Sequence, residues 1–298
     1  MRPTIAITLG DPRGIGPELV VKALADARIR DVFHPLIVGP TGTGVTVDES
    51  VGAWTSGGDG RQAGRLAGRA IERAVALVQS GLATGLVTAP IDKGALLSGG
   101  YDYPGHTEML AALTRSRTAM MLASDRLRVV LATTHMALRD VPDAVTAEVI
   151  VETASITRLG LQRWFGIPDP RIALCALNPH GGDGGRFGRE DQAILDPAAR
   201  TAGIAGPFPA DTVFVRAMRG EFDAVVAPYH DVGMTAIKVA SFGAAVNVTL
   251  GLPFPRTSPD HGTAVDIAGL GVADAGSMKA AMRECARIAG LGGTVRST

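Results

Sequence analysis

DAVVAPYH (residues 223–230) is a short apolar run that stops at a proline and ends on a histidine. The pattern recurs in LRVVLATTH (127–135) and RIALCALNPH (171–180). Short apolar runs bounded by turn residues read as strands buried on both faces. Ligands and catalytic groups of open α/β sheets gather beyond the carboxyl ends of the strands. Three imidazoles delivered there, His135, His180 and His230, read as a metal site assembled by the fold. Their spacings are too long for a local finger or helix motif, so such a site depends on tertiary convergence. Three unrelated capping or surface histidines are the plainer alternative, which suits any one of them better than all three together.

Outward from these runs, strand and helix patterns alternate. TIAITLG (4–10), PLIVGP (35–40) and TGLVTAP (84–90) read as buried strands. GIGPELVVKALADA (14–27), with Pro17 near its first turn, reads as a helix, as do 61–81, 106–114 and 145–166. TAMMLAS and LRVVLAT (118–124 and 127–133) form a strand pair joined by a tight Asp-Arg turn. A helix near 190–201 follows the glycine-rich loop after His180, and residues 273–293 make a final helix. Residues 41–60 read as a loop or short irregular strands. The alternation predicts an α/β sheet covered by helices.

Composition narrows the function. The 298 residues carry 29 basic and 29 acidic side chains and no basic run, which disfavours nucleic acid as a partner. No apolar stretch is long enough for a membrane span, and the N-terminal stretch carries no charged leader pattern. Two cysteines, Cys175 in an apolar strand and Cys285 in a helical stretch, read as reduced core thiols of a cytoplasmic protein.

Three neutral imidazoles suit zinc or a related divalent ion and leave a position open for substrate. Asp231, beside His230, can ligate the ion or orient the imidazole. Lys238, Asn247 and Arg256 follow, a donor set for an anionic substrate or, equally, a surface Lys, a turn Asn and a salt-bridged Arg. His106 and Thr107 open a helix whose free N–H groups can seat a phosphate or carboxylate, although a simple cap accounts for Thr107 alone. GDPRGIGPE (10–18) is neither GxGxxG nor a Walker loop and reads as a strand-to-helix turn.

Taken in order, GDPRGIGPE, APIDKGAL, YPGHTEML, LATTHMALRDVPDAVT, LNPHGGDGG, GPFPADTVF, YHDVGMTAIK, VNVTLGLPFPRTSPDHGTAVDIAG and GVADAGS, between residues 10 and 277, resemble the 4-hydroxythreonine-4-phosphate dehydrogenase family. The resemblance implies the α/β fold of isocitrate and isopropylmalate dehydrogenases, one unit over 1–298 made of two intimately joined lobes with the site in their cleft. It implies a divalent metal on His135, His180 and His230, with zinc first and magnesium, cobalt or manganese as alternatives. It assigns substrate binding to His106, Thr107, Lys238, Asn247 and Arg256, and catalysis to Lys238, Asp211 and Asp231. HGTAVDIAGLGVAD (261–274) resembles the cofactor loop of the wider group, which makes His261, Gly262 and Thr263 contacts to NAD, or to NADP. The family is a homodimer with a shared site, one metal histidine coming from the partner chain. The implied reaction is oxidation, with decarboxylation, of 4-phosphohydroxy-L-threonine in pyridoxal phosphate biosynthesis.

Two departures bear on the substrate. APIDKGALLSGG stands where the family usually has P-V-H-K, and the first motif reads GDPRGIGPE rather than GEPAGIGPD. GDP-type versions also occur in relatives acting on 4-phospho-D-erythronate or D-threonate, which remain an alternative. Relatives acting on aromatic cis-dihydrodiols are disfavoured by the retained His106-Thr107 pair and LATTHMALRD. Outside redox chemistry, a metal-dependent hydrolase or lyase would lack a clear general base beside the metal. A non-catalytic phosphometabolite-binding protein would not need three strand-end histidines.

Overall fold

The computed structural model describes residues 2–241 and 244–292. Along the chain come β1 (Thr4–Thr8), α1 (Gly16–Ala25), α2 (Ala27–Arg30), β2 (His34–Thr41), β3 (Glu49–Ala53), α3 (Gly60–Gln79), β4 (Gly85–Thr88), α4 (Lys93–Ser98) and α5 (His106–Thr114). Next are β5 (Ala119–Ala123), β6 (Arg128–Leu131), α6 (Val141–Ala144), α7 (Ala147–Phe165), β7 (Ile172–Cys175), α8 (Asp196–Ala202), β8 (Ala205–Phe208), α9 (Ala210–Met218), β9 (Ala224–Ala227) and α10 (His230–Ser241). The described chain closes with β10 (Val246–Leu250), β11 (Arg256–Ser258) and α11 (Gly276–Gly292). Phe242 and Gly243, between Lys238 and Asn247, and Gly293, the last residue of the expected final helix, lie outside the described residues.

The chain divides into two compact units, one of Met1–Ser116 with Val246–Thr298 and one of Arg117–Ala245. In the first, the strands run in the order β3-β2-β1-β4-β11-β10. β1 pairs in parallel with β2 and β4, and β11 in parallel with β4, while β10 is antiparallel to β11. Helix α3 packs on β1, β2, β3 and β4, and α11 on β4, β10 and β11. Asp59 caps α3 by accepting from the Gln62 N–H at 2.8 Å, and Asp92 caps α4 through Ala95 at 2.7 Å.

In the second unit the order is β5-β6-β9-β7-β8. β5 and β6 form the expected hairpin, turning at Asp125-Arg126 where Ser124 and Leu127 exchange hydrogen bonds. β6, β9 and β7 are parallel neighbours. Alternate residues of these strands face two separate cores. Leu131, Ala173, Cys175, Val225 and Ala227 meet Val213 and Phe214 of α9 and Met234 and Ile237 of α10. Ile172, Leu174, Ala224 and Val226 meet Ile150 and Leu161 of α7 and Ala198 and Ala199 of α8. Helices on both faces are why these strands read as unbroken apolar runs. Among the described residues no helix is long and apolar enough to cross a membrane.

Candidate active site

The second unit holds His135, His180, Asp211, His230, Asp231 and Lys238, and the first holds His106, Thr107, Asn247, Arg256, His261, Gly262 and Thr263. The three strand-end histidines follow β6, β7 and β9, so three adjacent parallel strands do deliver them to one carboxyl edge. The ladder continues past β6 and β9. Ala132 donates to the Ala227 carbonyl at 2.9 Å, Thr133 N–H to Pro228 at 3.2 Å, and the buried Thr133 hydroxyl to Pro228 at 2.8 Å. These bonds fix the two loops that end in His135 and His230.

The His135 and His230 rings lie 5.3 Å apart, centroid to centroid, tilted by 44°. Two imidazoles sharing one tetrahedral divalent ion, with metal–nitrogen bonds near 2.0–2.1 Å, would have centroids about 5 Å apart. His230 Nδ1 lies 2.6 Å from Asp231 Oδ1. That contact places the ring proton on Nδ1 and leaves the Nε2 lone pair for a ligand, the usual support for a metal-bound histidine. His180 does not complete the set within this chain. Among the described residues no group of three or more His, Cys, Asp or Glu side chains could hold a metal ion.

His180 stands instead on a left-handed loop. Residues 180–184 all have positive φ, from 44° at Asp183 to 84° at Gly182, and His180 itself has φ 54° and ψ 26°. The glycines make this turn accessible, and a Cβ at Gly182 would meet the Gly188 carbonyl at 2.8 Å. Leu177, Asn178 and His180 line a cavity of about 310 Å³ with Asp211, Tyr229 and Val232. Asp211 opens α9 and Tyr229 precedes α10, so two helix starts and one loop converge there. Lys238 is exposed on α10, eight residues beyond His230.

In the first unit, Arg256 is 2% exposed. Its Nη1 donates to Thr249 at 2.8 Å and its Nη2 to Thr88 at 2.6 Å, while its buried Nε has no partner. Among the described residues no carboxylate bonds the guanidinium, and burial, partly offset by the charge of Glu108, lowers its pKa to about 10. His106 begins α5, and burial, with a smaller effect from Arg256, holds its pKa well below the usual imidazole range. His106 Nε2 and Asn247 Oδ1 are also buried without partners. Asn247 sits on β10 opposite Ser258 of β11, the strand that carries Arg256. Thr107 occupies the first turn of α5. A buried cation bonded by hydroxyls, with unpaired polar atoms nearby, can seat an anion.

The expected cofactor loop packs on the first strand-to-helix turn. Ile15 donates to the Thr263 carbonyl at 2.9 Å, and a Cβ on Gly14 would meet that oxygen at 2.7 Å. His261 and Gly262 are exposed beside it. Further along, Lys22 holds the Gly271 and Ala273 carbonyls, each at 2.8 Å. Between this segment, α1 and the turns on either side of β3 lies a cavity of about 590 Å³, whose wall includes Arg13, Trp54, Ala268 and Gly269. Asp11 is fully buried and paired with Arg13 at 2.7 Å, which also approaches Asp92 at 3.6 Å.

Sequence reading missed Thr88 and Thr249, the partners of Arg256. Each carries a faint signal, a hydroxyl in an apolar strand.

The family model of the pyridoxal phosphate biosynthetic protein PdxA matches residues 22–285. A 4-hydroxythreonine-4-phosphate dehydrogenase of Geobacter metallireducens is 44% identical, with 98% of each chain covered. The crystal structure of 4-hydroxythreonine-4-phosphate dehydrogenase from Klebsiella pneumoniae superposes with a TM-score of 0.87 at 38% identity, covering 96% of this chain and 99% of that one. Isocitrate dehydrogenase from Methylococcus capsulatus shares the fold, with a TM-score of 0.53 at 15% identity over 98% of this chain and 87% of that one.

Proposed function

The chain belongs to the family of the pyridoxal phosphate biosynthetic protein PdxA, and from that membership we propose that it oxidises 4-phosphohydroxy-L-threonine using a nicotinamide cofactor and a divalent metal. The observation that carries the reading is Arg256, a buried guanidinium with two threonine hydroxyls and no carboxylate for partners. His106, Thr107 and Asn247 complete an anion seat for the substrate's phosphate end. His135 and His230 would hold the metal with His180, one of the three coming from the partner chain of a homodimer. Zinc suits the imidazole set best, and cobalt, manganese or magnesium are the alternatives. His261, Gly262 and Thr263 would contact NAD, or NADP, and the adjoining cavity of about 590 Å³ is of a size to take part of a dinucleotide.

When bound, the ion supplies polarisation of the substrate hydroxyl and the nicotinamide accepts the two electrons. The chain's own residues orient and move protons. Asp231 fixes the His230 tautomer. Lys238 lowers the cost of losing the substrate's hydroxyl proton, and Asp211 is a carboxylate that can carry it away. A 3-keto acid results, whose carboxylate leaves as carbon dioxide.

The departures in the first motif and at APIDK support a second reading within the same chemistry, a four-carbon sugar-acid phosphate as substrate. Asp11, Arg13 and Asp92, all in those departing segments, form one ion-paired group. The reaction is tested by following cofactor reduction with and without a chelator, in wild type and in Arg256→Met. Chelator-sensitive turnover that R256M loses at least a hundredfold supports the proposal, and turnover indifferent to both overturns it. A cytoplasmic location accords with the reduced, buried Cys175 and Cys285.

A further inference from the structure

Three charged side chains are buried among the described residues, Asp11, Asp191 and Arg256. Asp11 is paired with Arg13, and Arg256 faces the anion seat. Asp191 has a different arrangement, in which its charge is met by N–H donors rather than by a cation. Its Oδ1 accepts from Leu177 N–H at 2.7 Å, and its Oδ2 from Asn178 N–H at 3.0 Å and the Asn178 side-chain amide at 2.9 Å. The same amide reaches Glu190 Oε2 at 2.7 Å. The carboxylate therefore ties the two residues that enter the His180 loop to the turn that leaves it, a π-helical turn at Asp191–Leu195.

That loop needs a tether. His180 and Asp183 both adopt left-handed backbone, a conformation uncommon for residues with side chains even though Asp and His enter it more readily than most. A loop free at its root would let His180 leave that conformation and lose its direction. We propose that Asp191 is a positioning residue for His180, setting the backbone from which this imidazole reaches the metal. The inference rests on the reading of His180 as a metal ligand. Both oxygens of residue 191 must accept, so an amide there would set one NH₂ group against N–H donors. Asp191→Asn is close in shape and opposite in hydrogen-bonding sense on one side.

The test measures cobalt(II) binding by equilibrium dialysis in the full chain, for wild type, His180→Ala, Asp191→Asn and the double variant. Thermal melting and hydrogen exchange over residues 177–191 accompany it. D191N should melt cooperatively, lose protection at the loop root, and bind cobalt about 10–100-fold more weakly. In the H180A background the same change should have no further effect, which a general structural role would not produce. Wild-type affinity in D191N, or losses that multiply in the double variant, overturns the proposal. Should D191N fail to fold, Asn178→Ala decides, because it removes one donor and keeps both backbone bonds. It should weaken binding several-fold, only where His180 is present, and unchanged affinity is the overturning result. If wild type binds no cobalt, or H180A binds it normally, the metal role of His180 falls and this proposal with it. If H180A alone is weak, only the positioning role fails.

Discussion

Burying Arg256 with threonine hydroxyls as its bonded partners carries an electrostatic cost, which an anion would relieve. Binding a phosphate to the folded state alone stabilises it by about 2.7 kcal/mol at a hundred times its dissociation constant. Inorganic phosphate is therefore expected to raise the melting temperature of wild type and to leave that of R256M unchanged. Without phosphate, R256M should melt at or above wild type, since exchanging a buried charge with no bonded carboxylate among the described residues for an apolar side chain is often neutral or stabilising. His106 makes a second prediction. Its folded pKa lies below the ordinary 6.5, with burial the main cause. As pH falls through about 6.5 the unfolded chain takes up a proton that the folded chain refuses, so stability declines on that side. Denaturant midpoints should fall between neutral and mildly acidic pH, and His106→Gln should flatten that limb. An unchanged slope would remove His106 from the buried cluster.

Among the elements, α3 shows how much a sequence pattern holds back. Its apolar spacing predicts the helix that is found, and Asp59 marks its start. The spacing does not reveal that Gly64 is where α4 lies against it. A Cβ there would collide with the Ala95 backbone, whose path no periodicity encodes. Gly64→Ala should accordingly cost about 1–3 kcal/mol in denaturant unfolding, although alanine is the better helix former. The same limit applies elsewhere. The strands before His135, His180 and His230 were legible because both faces are apolar and each run ends at turn residues. Helix α10 was not, since its start is His230 itself and its polar residues read as a site. The segments β10 and β11 were hidden among residues quoted for their chemistry, Asn247 and Arg256. That β6, β7 and β9 are adjacent parallel strands leading to His135, His180 and His230 was legible, whereas the lack of a three-residue ligand group among the described residues is set by loop paths that no spacing encodes.

For the whole molecule, the second unit carries His135, His180, His230 and Asp211, and the first carries the buried Arg256 with its threonine hydroxyls. The proposed reaction draws on both sets. Metal removal is the first consequence. Dialysis against a chelator should abolish cofactor reduction while leaving the phosphate-induced rise in melting temperature intact, because the proposed anion seat shares no residue with His135, His180 and His230. Loss of both together would show that the seat needs the metal. The most direct measurement is the reduction of NAD by the purified protein, offered in parallel 4-phosphohydroxy-L-threonine, 4-phospho-D-erythronate and 4-phospho-D-threonate, each with and without chelator. Chelator-sensitive turnover strongly favouring the first is the predicted result. Turnover confined to a sugar acid, or none with any of the three despite bound metal, would contradict it.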